Sequence, residues 1–514
     1  MISLFGNKKP DHPMADLKEA KALLEELPTN DAYKCADELA HWLESVVSAD
    51  GFKPEYRAQL IQLLDETAQT HLRKLARDYM VSPRLARHQE MRLWTAIYEY
   101  WRQAASAYVS CIDLYAAGAK GSDVLKGTMP LQLVRALRAL GAQMKWMYVR
   151  YGPMDPTVWG VIAKVYAFAE KRKLAQSAVT LYPGIAGDST PEQEFLRVVM
   201  LSASSPDSLL PLEMELCERL IAHFCTSFTL RLDLQPDIAY WIDLASSQAP
   251  LRLARPPQHA PTLRFFAAGK ALEELEDLTR TVKATGSVPS QVHLGGNYPA
   301  EAVLDVLNHL ALYWSPKPPE RKYQRHRVKS RLNVTYGYDG VVAVLGNSGT
   351  HDGAAIETWI VENVSAGGFG AGISEIKGDW LKIGCLLGLQ PEGGDNWVLG
   401  VIRRLQRDVS QKGSVGIQTI AKSAQLVQLS LGGAAGGERS GGETGVLLND
   451  GSEALGEARV LLRAGVFVPG QNLEYRKGEL SCLLMPQGVV ASGDEYEIVK
   501  FREMIRDTSS DGEP

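Results

Sequence analysis

Apolar residues recur three or four positions apart from about Ala15 to Leu312, the spacing of one buried helix face after another. The clearest run is Trp94, Ile97, Trp101, Ala105, Tyr108, Ile112 and Tyr115, which predicts one side of a long helix that needs an apolar partner. Its aromatic members read as core packing rather than as a ligand box. Helix starts are marked by Asp155-Pro156, by Thr190-Pro191-Glu192-Gln193 with its capping-box glutamine, and by Ser205-Pro206. Long helices with short Pro/Gly/Ser breaks predict stacked antiparallel hairpins, as a bundle or an α-solenoid, although no clean 34-residue repeat is present. Thr226 to Pro261 departs from the pattern and reads as a loop or an inserted hairpin. Helical spacing resumes over Ala271 to Val282 and Ala300 to Leu312.

At Ser315-Pro316-Lys317-Pro318-Pro319 the pattern changes, because prolines so close together cannot continue a helix and favour an extended linker. Short strand-like runs follow at Leu332–Tyr336, Val341–Leu345, Glu357–Glu362, Trp380–Leu389, Trp397–Arg403 and Val415–Ile420, and they predict a small antiparallel barrel. Gly432 to Gly445 reads as a flexible loop. Strand-like runs at Ala458–Leu462, Leu480–Met485 and Tyr496–Phe501 predict either a second β unit or an extension of the first. The expected organisation is multidomain α + β. An all-α domain over 1–314 precedes a barrel with an N-terminal arginine linker over 315–425, a C-terminal β segment or second barrel over 426–506, and a disordered tail over 507–514.

Composition sharpens this only in part. The chain is 45% hydrophobic and 22% charged, as in a folded, water-soluble protein. A net charge of -5 argues against a surface devoted to nucleic acid, and no nucleic-acid partner is expected. The cysteines Cys35, Cys111, Cys217, Cys225, Cys385 and Cys482 show no CxxC spacing and read as reduced thiols. The N-terminus has no secretory pattern and no apolar run is long enough to span a bilayer, so a cytoplasmic protein is expected.

The acidic average conceals a basic run of Lys317, Arg321, Lys322, Arg325, Arg327, Lys329 and Arg331, with Glu320 its only acid. Within it, Arg321 to Arg325 has the form RxxxR. About forty residues on, Asn363 to Gly368 reads N-V-S-A-G-G, of the form (D/N)xSxxG. A guanidinium pairs with a phosphate through two charge-assisted hydrogen bonds and also stacks on a purine. Asn363 and Ser365, two apart on a strand, share a face and can bond the edge of a base. Gly367 and Gly368 allow the close backbone approach that a flat ring needs.

In this order and β context the two motifs resemble those of PilZ domains, over about Arg321 to Ile420. Thr358–Ser365 resembles the strand that ends in the second motif, and Leu381–Gly384, Trp397–Arg403 and Gly413–Ile417 resemble later parts of such domains. The resemblance implies a bacterial receptor for cyclic di-GMP, connected with motility, adhesion or biofilm. It also implies ligand roles for Arg321, Arg325, Asn363, Ser365 and Gly368, with Arg327 a further candidate. Ligand binding is then expected to order Ser315–Arg327 and to signal through the helical region to a protein partner.

Other readings are weaker. Gly367, Gly368, Gly370 and Gly372 lack the GxGxxG spacing and no helical pattern follows them. The basic run, with Tyr323 and Tyr336 beside it, is short for a nucleic-acid surface. No HExxH and no Cys/His cluster is present, and acid pairs such as Glu273-Glu274 read as solvated helix faces, so neither an enzyme, a metal site nor a cofactor is expected. The alternative is an interaction scaffold whose barrel binds no nucleotide, in keeping with Glu320 directly before Arg321.

Overall fold

The computed structural model describes residues 10–81, 86–184, 187–317, 323–346, 355–374, 380–410, 412–431, 442–449, 456–478 and 480–506. It separates into two compact units, 1–320 and 321–514. The tail over 507–514, most of the proposed loop Gly432–Gly445, and Pro318 to Lys322 lie outside the described residues.

The first unit is helical, as the spacing predicts. Its helices are α1 (Leu17–Glu25), α2 (Ala32–Ser48), α3 (Pro54–Val81), α4 (Arg87–Ala116), α5 (Met129–Val149), α6 (Thr157–Lys171), α7 (Pro191–Ala203), α8 (Pro211–His223), α9 (Ala271–Thr285) and α10 (Ala300–Trp314). Thr190 caps α7 reciprocally: Thr190 Oγ1 accepts from the Gln193 backbone N–H at 3.1 Å, and Gln193 Oε1 accepts from the Thr190 backbone N–H at 3.0 Å. Asp155 Oδ1 accepts from Thr157 N at 2.9 Å at the start of α6. Ser205-Pro206 behaves differently from expectation. It begins only a 3-10 turn, Pro206–Ser208, because Ser205 sits at φ 51° and cannot adopt the extended backbone of a helix N-cap. The long helix then starts at Pro211.

Thr226 to Pro261, where a loop or an inserted hairpin is expected, contributes three strands to a four-stranded antiparallel sheet in this unit. After a two-residue ribbon of β1 (Val179–Thr180) and β2 (Asp188–Ser189), the strands β3 (Thr229–Arg231), β4 (Tyr240–Asp243), β5 (Leu251–Arg252) and β6 (Leu263–Ala267) pair in the order β3-β6-β4-β5. The strand-like alternation from Thr229 to Leu234 marks β3, whereas a strand as short as β5 carries too few alternations to be read from sequence.

The α4 stripe is core. Ile97, Tyr108 and Ile112 are buried, and the buried Trp94 donates its indole N–H to the Trp146 carbonyl of α5 at 2.6 Å. Beneath it lies a buried polar knot. Asp65 of α3 accepts from the hydroxyls of Tyr108 at 2.7 Å, Tyr100 at 3.0 Å and Tyr182 at 3.1 Å. Arg135 of α5 approaches it at 3.8 Å and reaches Glu66 at 2.6 Å. Burial pushes the Asp65 carboxyl above its ordinary value, against the pull of Arg135 and the three hydroxyls. All six cysteines are free thiols.

The second unit contains two closed six-stranded antiparallel barrels. The first is built from β7 (His326–Tyr336), β8 (Glu357–Ser365), β9 (Gly368–Ile373), β10 (Leu386–Pro391), β11 (Val398–Arg407) and β12 (Gly413–Ala421), closed as β10-β11-β12-β9-β8-β7. The second comprises β13 (Ser423–Leu431), β14 (Glu443–Asn449), β15 (Glu457–Arg463), β16 (Leu473–Lys477), β17 (Leu480–Ser492) and β18 (Tyr496–Arg506), closed as β13-β14-β15-β18-β17-β16. Counted from its own first strand, each barrel has the same order of pairing.

Two strand expectations are corrected. Val341–Leu345 lies in a helix, α11 (Gly337–Gly346), whose buried residues Tyr338, Val341 and Val344 stand at helical spacing. A short apolar run does not distinguish a strand from one face of a buried helix. The strand expected from Trp380 begins only at Leu386, because Lys382–Cys385 turn back on themselves with Gly384 at φ 81°. Helix α11 also joins the barrels. Tyr338, Val341, Leu386, Leu399 and Val401 share one buried cluster with Val446, Leu448, Leu461, Tyr496 and Ile498 of the second barrel.

Candidate functional site

An open groove of about 640 Å³ lies on the first barrel and brings Arg325 of the first sequence motif beside the Ser365–Gly368 turn of the second. One wall is the segment that leads into β7, carrying Tyr323 and Arg325. The floor is the turn from Ser365 through Ala366 and Gly367 to Gly368, and the far wall is formed by Arg403, Arg404, Gln418, Thr419 and Lys422.

Glycine makes the floor possible. Gly368 stands at φ 154°, and a Cβ there would lie 1.9 Å from the Ile417 carbonyl oxygen of β12. The turn is therefore pressed directly onto the neighbouring strand, with Thr419 N donating to Gly367 O at 3.0 Å. At Gly367 a Cβ would meet the Tyr323 ring at 2.8 Å, so the ring packs on bare backbone. Ser365 Oγ makes a long 3.4 Å contact with Gly368 O at the mouth of the turn.

The far wall depends on an irregularity. Along β11, Val401, Ile402 and Leu405 are buried while Arg403 and Arg404 are both exposed, which strict alternation forbids. A register shift between Ile402 and Arg404 supplies the explanation: Ile402 pairs with Ile417 and Arg404 with Gly416, leaving Arg403 as the extra residue of a bulge. Arg403 Nε donates to Gln418 Oε1 at 2.8 Å across the strands.

The groove thus carries the cations Arg325, Arg403, Arg404 and Lys422, and among its described lining residues there is no carboxylate. It suits a ligand with two negative charges and flat, hydrogen-bonding rings.

Of the expected site residues, Arg325, Ser365 and Gly368 line the groove. Asn363 and Arg327 stand outside that lining. They face each other in the register of β8 and β7, and the Asn363 amide packs where a Cβ of Gly370 would be, at 2.4 Å. Arg321 lies outside the described residues. Sequence reasoning missed Arg403, Arg404, Gln418 and Lys422. The sequence carries no clear signal for them, since β11 reads V-L-G-V-I-R-R-L-Q-R, with no regular alternation against which a bulge would stand out.

Among the described residues no helix is long and apolar enough to cross a membrane. Among curated proteins, none matches the chain. A family described as the N-terminal domain of the cyclic-di-GMP receptor FimW does match, and the matched residues run from α1 to just beyond β3 in the helical unit. Over residues 18–236, the chain is similar to the N-terminal domain of cyclic-di-GMP receptor FimW.

Proposed function

We propose that the protein is a cytoplasmic receptor for cyclic di-GMP, that its first barrel is of the PilZ type, and that the groove on this barrel holds the dinucleotide. The observation that carries the reading is the convergence in one groove of Arg325 and the Ser365–Gly368 turn with further cations. The similarity of residues 18–236 to a cyclic-di-GMP receptor domain supports the same ligand from a different part of the chain.

Each residue then has a role. Arg325, with Arg321 before it, pairs with phosphate and stacks on a guanine. Ser365 bonds a base edge, and Gly368 lets the turn press onto β12, which fixes the floor of the groove. Asn363 and Arg327 act by holding β7, β8 and β9 in register behind the turn. The ligand undergoes no chemistry here. Occupancy is passed to a protein partner through the helical unit, in control of motility, adhesion or biofilm.

Calorimetric titration of the full-length protein with cyclic di-GMP, with GTP as a specificity control, tests this. Saturable binding is expected, weakened tenfold or more in Arg325→Ala and less in Ser365→Ala, as befits lost charged and neutral hydrogen bonds respectively. Folded wild-type protein that takes up no cyclic di-GMP would overturn the reading.

A further inference from the structure

We infer that Arg404 and Lys422 form a second anion-binding bank, opposite Arg325, so that the groove holds its doubly charged ligand between two walls rather than on the arginine segment alone. The inference rests on the groove being the cyclic di-GMP site.

Three features of the far wall support it. First, the β11 bulge turns Arg404 to the outer face, and its stem lies across Gly416 of the paired strand, where a Cβ would sit 3.2 Å from the Arg404 Cβ and 3.9 Å from its Cδ. Without the bulge, one of two consecutive arginines would point into the barrel core. Second, the Arg403 guanidinium is engaged with Gln418, which sets the side chain of Gln418 along the same wall.

Third, Lys422 is the single residue between β12 and β13, and both barrels fix its backbone. Its N–H donates to Asn449 O of β14 at 3.0 Å, and its carbonyl accepts from Asn396 Nδ2 at 3.1 Å. The second barrel therefore anchors a residue of the groove on the first. Lys422 is a point charge on a flexible stem and Arg404 a planar fork, a pair suited to one phosphate approached from two directions.

The test is a cyclic di-GMP titration of full-length wild type, Arg325→Ala, Arg404→Ala, Lys422→Ala and Lys477→Ala at low and high salt. Lys477 is exposed on β16, so its removal makes the same change in net charge away from the groove. Arg404→Ala and Lys422→Ala are each expected to bind about tenfold more weakly at low salt, with a smaller penalty at high salt, while Lys477→Ala stays within about twofold. Arg404→Lys and Lys422→Arg are expected to recover most of the loss, and they serve as readouts if an alanine variant is unstable.

If Arg404→Ala and Lys422→Ala bind like Lys477→Ala while Arg325→Ala fails, the second bank is wrong and the groove reading stands. If the wild type itself does not bind, both fall together.

Discussion

Gly368→Ala is the sharpest single perturbation of the site. The glycine touches β12 so closely that a methyl group would be placed 1.9 Å from the Ile417 carbonyl oxygen, where real Cβ contacts stay beyond 3.0 Å. The turn and β12 must therefore separate by about 1 Å, which disturbs the Gly368–Gln418 pairing and the 3.0 Å bond from Thr419 N to Gly367 O. One weakened backbone bond costs about 0.5–1.5 kcal/mol, and forcing alanine into a φ region used essentially by glycine costs about 1–3 kcal/mol more. The expected loss is thus roughly 1.5–4.5 kcal/mol, concentrated in the barrel that carries the groove. Denaturant unfolding gives the stability change and calorimetry the loss of ligand affinity. The effect on binding should exceed that of Ser365→Ala, because the whole floor moves rather than one hydroxyl. A variant with unchanged stability and unchanged affinity would refute the reasoning that Gly368 acts through backbone approach.

Further outcomes follow from other parts of the chain. Asp65→Ala takes the shared acceptor from three buried tyrosine hydroxyls, while Arg135 keeps Glu66, and should cost the helical unit about 3–5 kcal/mol in urea unfolding, with Asp65→Asn less damaging because an acceptor oxygen remains. Burial pushes Glu194 and Glu215 up, but Arg138 and Arg197 on the first and Lys145 and Arg219 on the second outweigh it and hold both carboxyls below their ordinary value of 4.5. A depressed carboxylate stabilises the fold above its unfolded pKa. The helical unit should therefore lose stability as the pH falls below about 4.5, and flat urea midpoints down to pH 3 would contradict this. Ile498→Ala, in the cluster shared through α11, should cost about 2–5 kcal/mol and speed amide exchange in β10 and β11 of the first barrel as well as in the second. Exchange changes confined to the second barrel would show that the two do not share a core.

Much of this architecture was legible in the sequence because it follows from spacing. Helices α9 and α10 appear almost where their apolar periods put them, and Thr190-Pro191-Glu192-Gln193 caps α7 as its residue types require. What was illegible depends on tertiary context. Val341–Leu345 is β-branched enough to pass for a strand, yet its buried positions are those of a helix packed between two barrels. The strand β9 was hidden because Gly368, Gly370 and Gly372 carry no pattern. Gly370 and Gly372 yield their space to the side chains of Asn363 and Glu362, and Gly368 sits against the β12 backbone. At the site, the motif residues Arg325, Ser365 and Gly368 could be named in advance from local order. The opposite wall could not, since Arg404 depends on a bulge and Lys422 on a junction between barrels, neither of which exists until the strands pair.

The most direct test of the central claim is a structure of the full-length protein with cyclic di-GMP bound. The expected result is ligand in the first-barrel groove, with a phosphate within hydrogen-bond distance of Arg325 and a base edge within hydrogen-bond distance of Ser365. Ligand found instead on the helical unit, with the groove empty, would contradict the account.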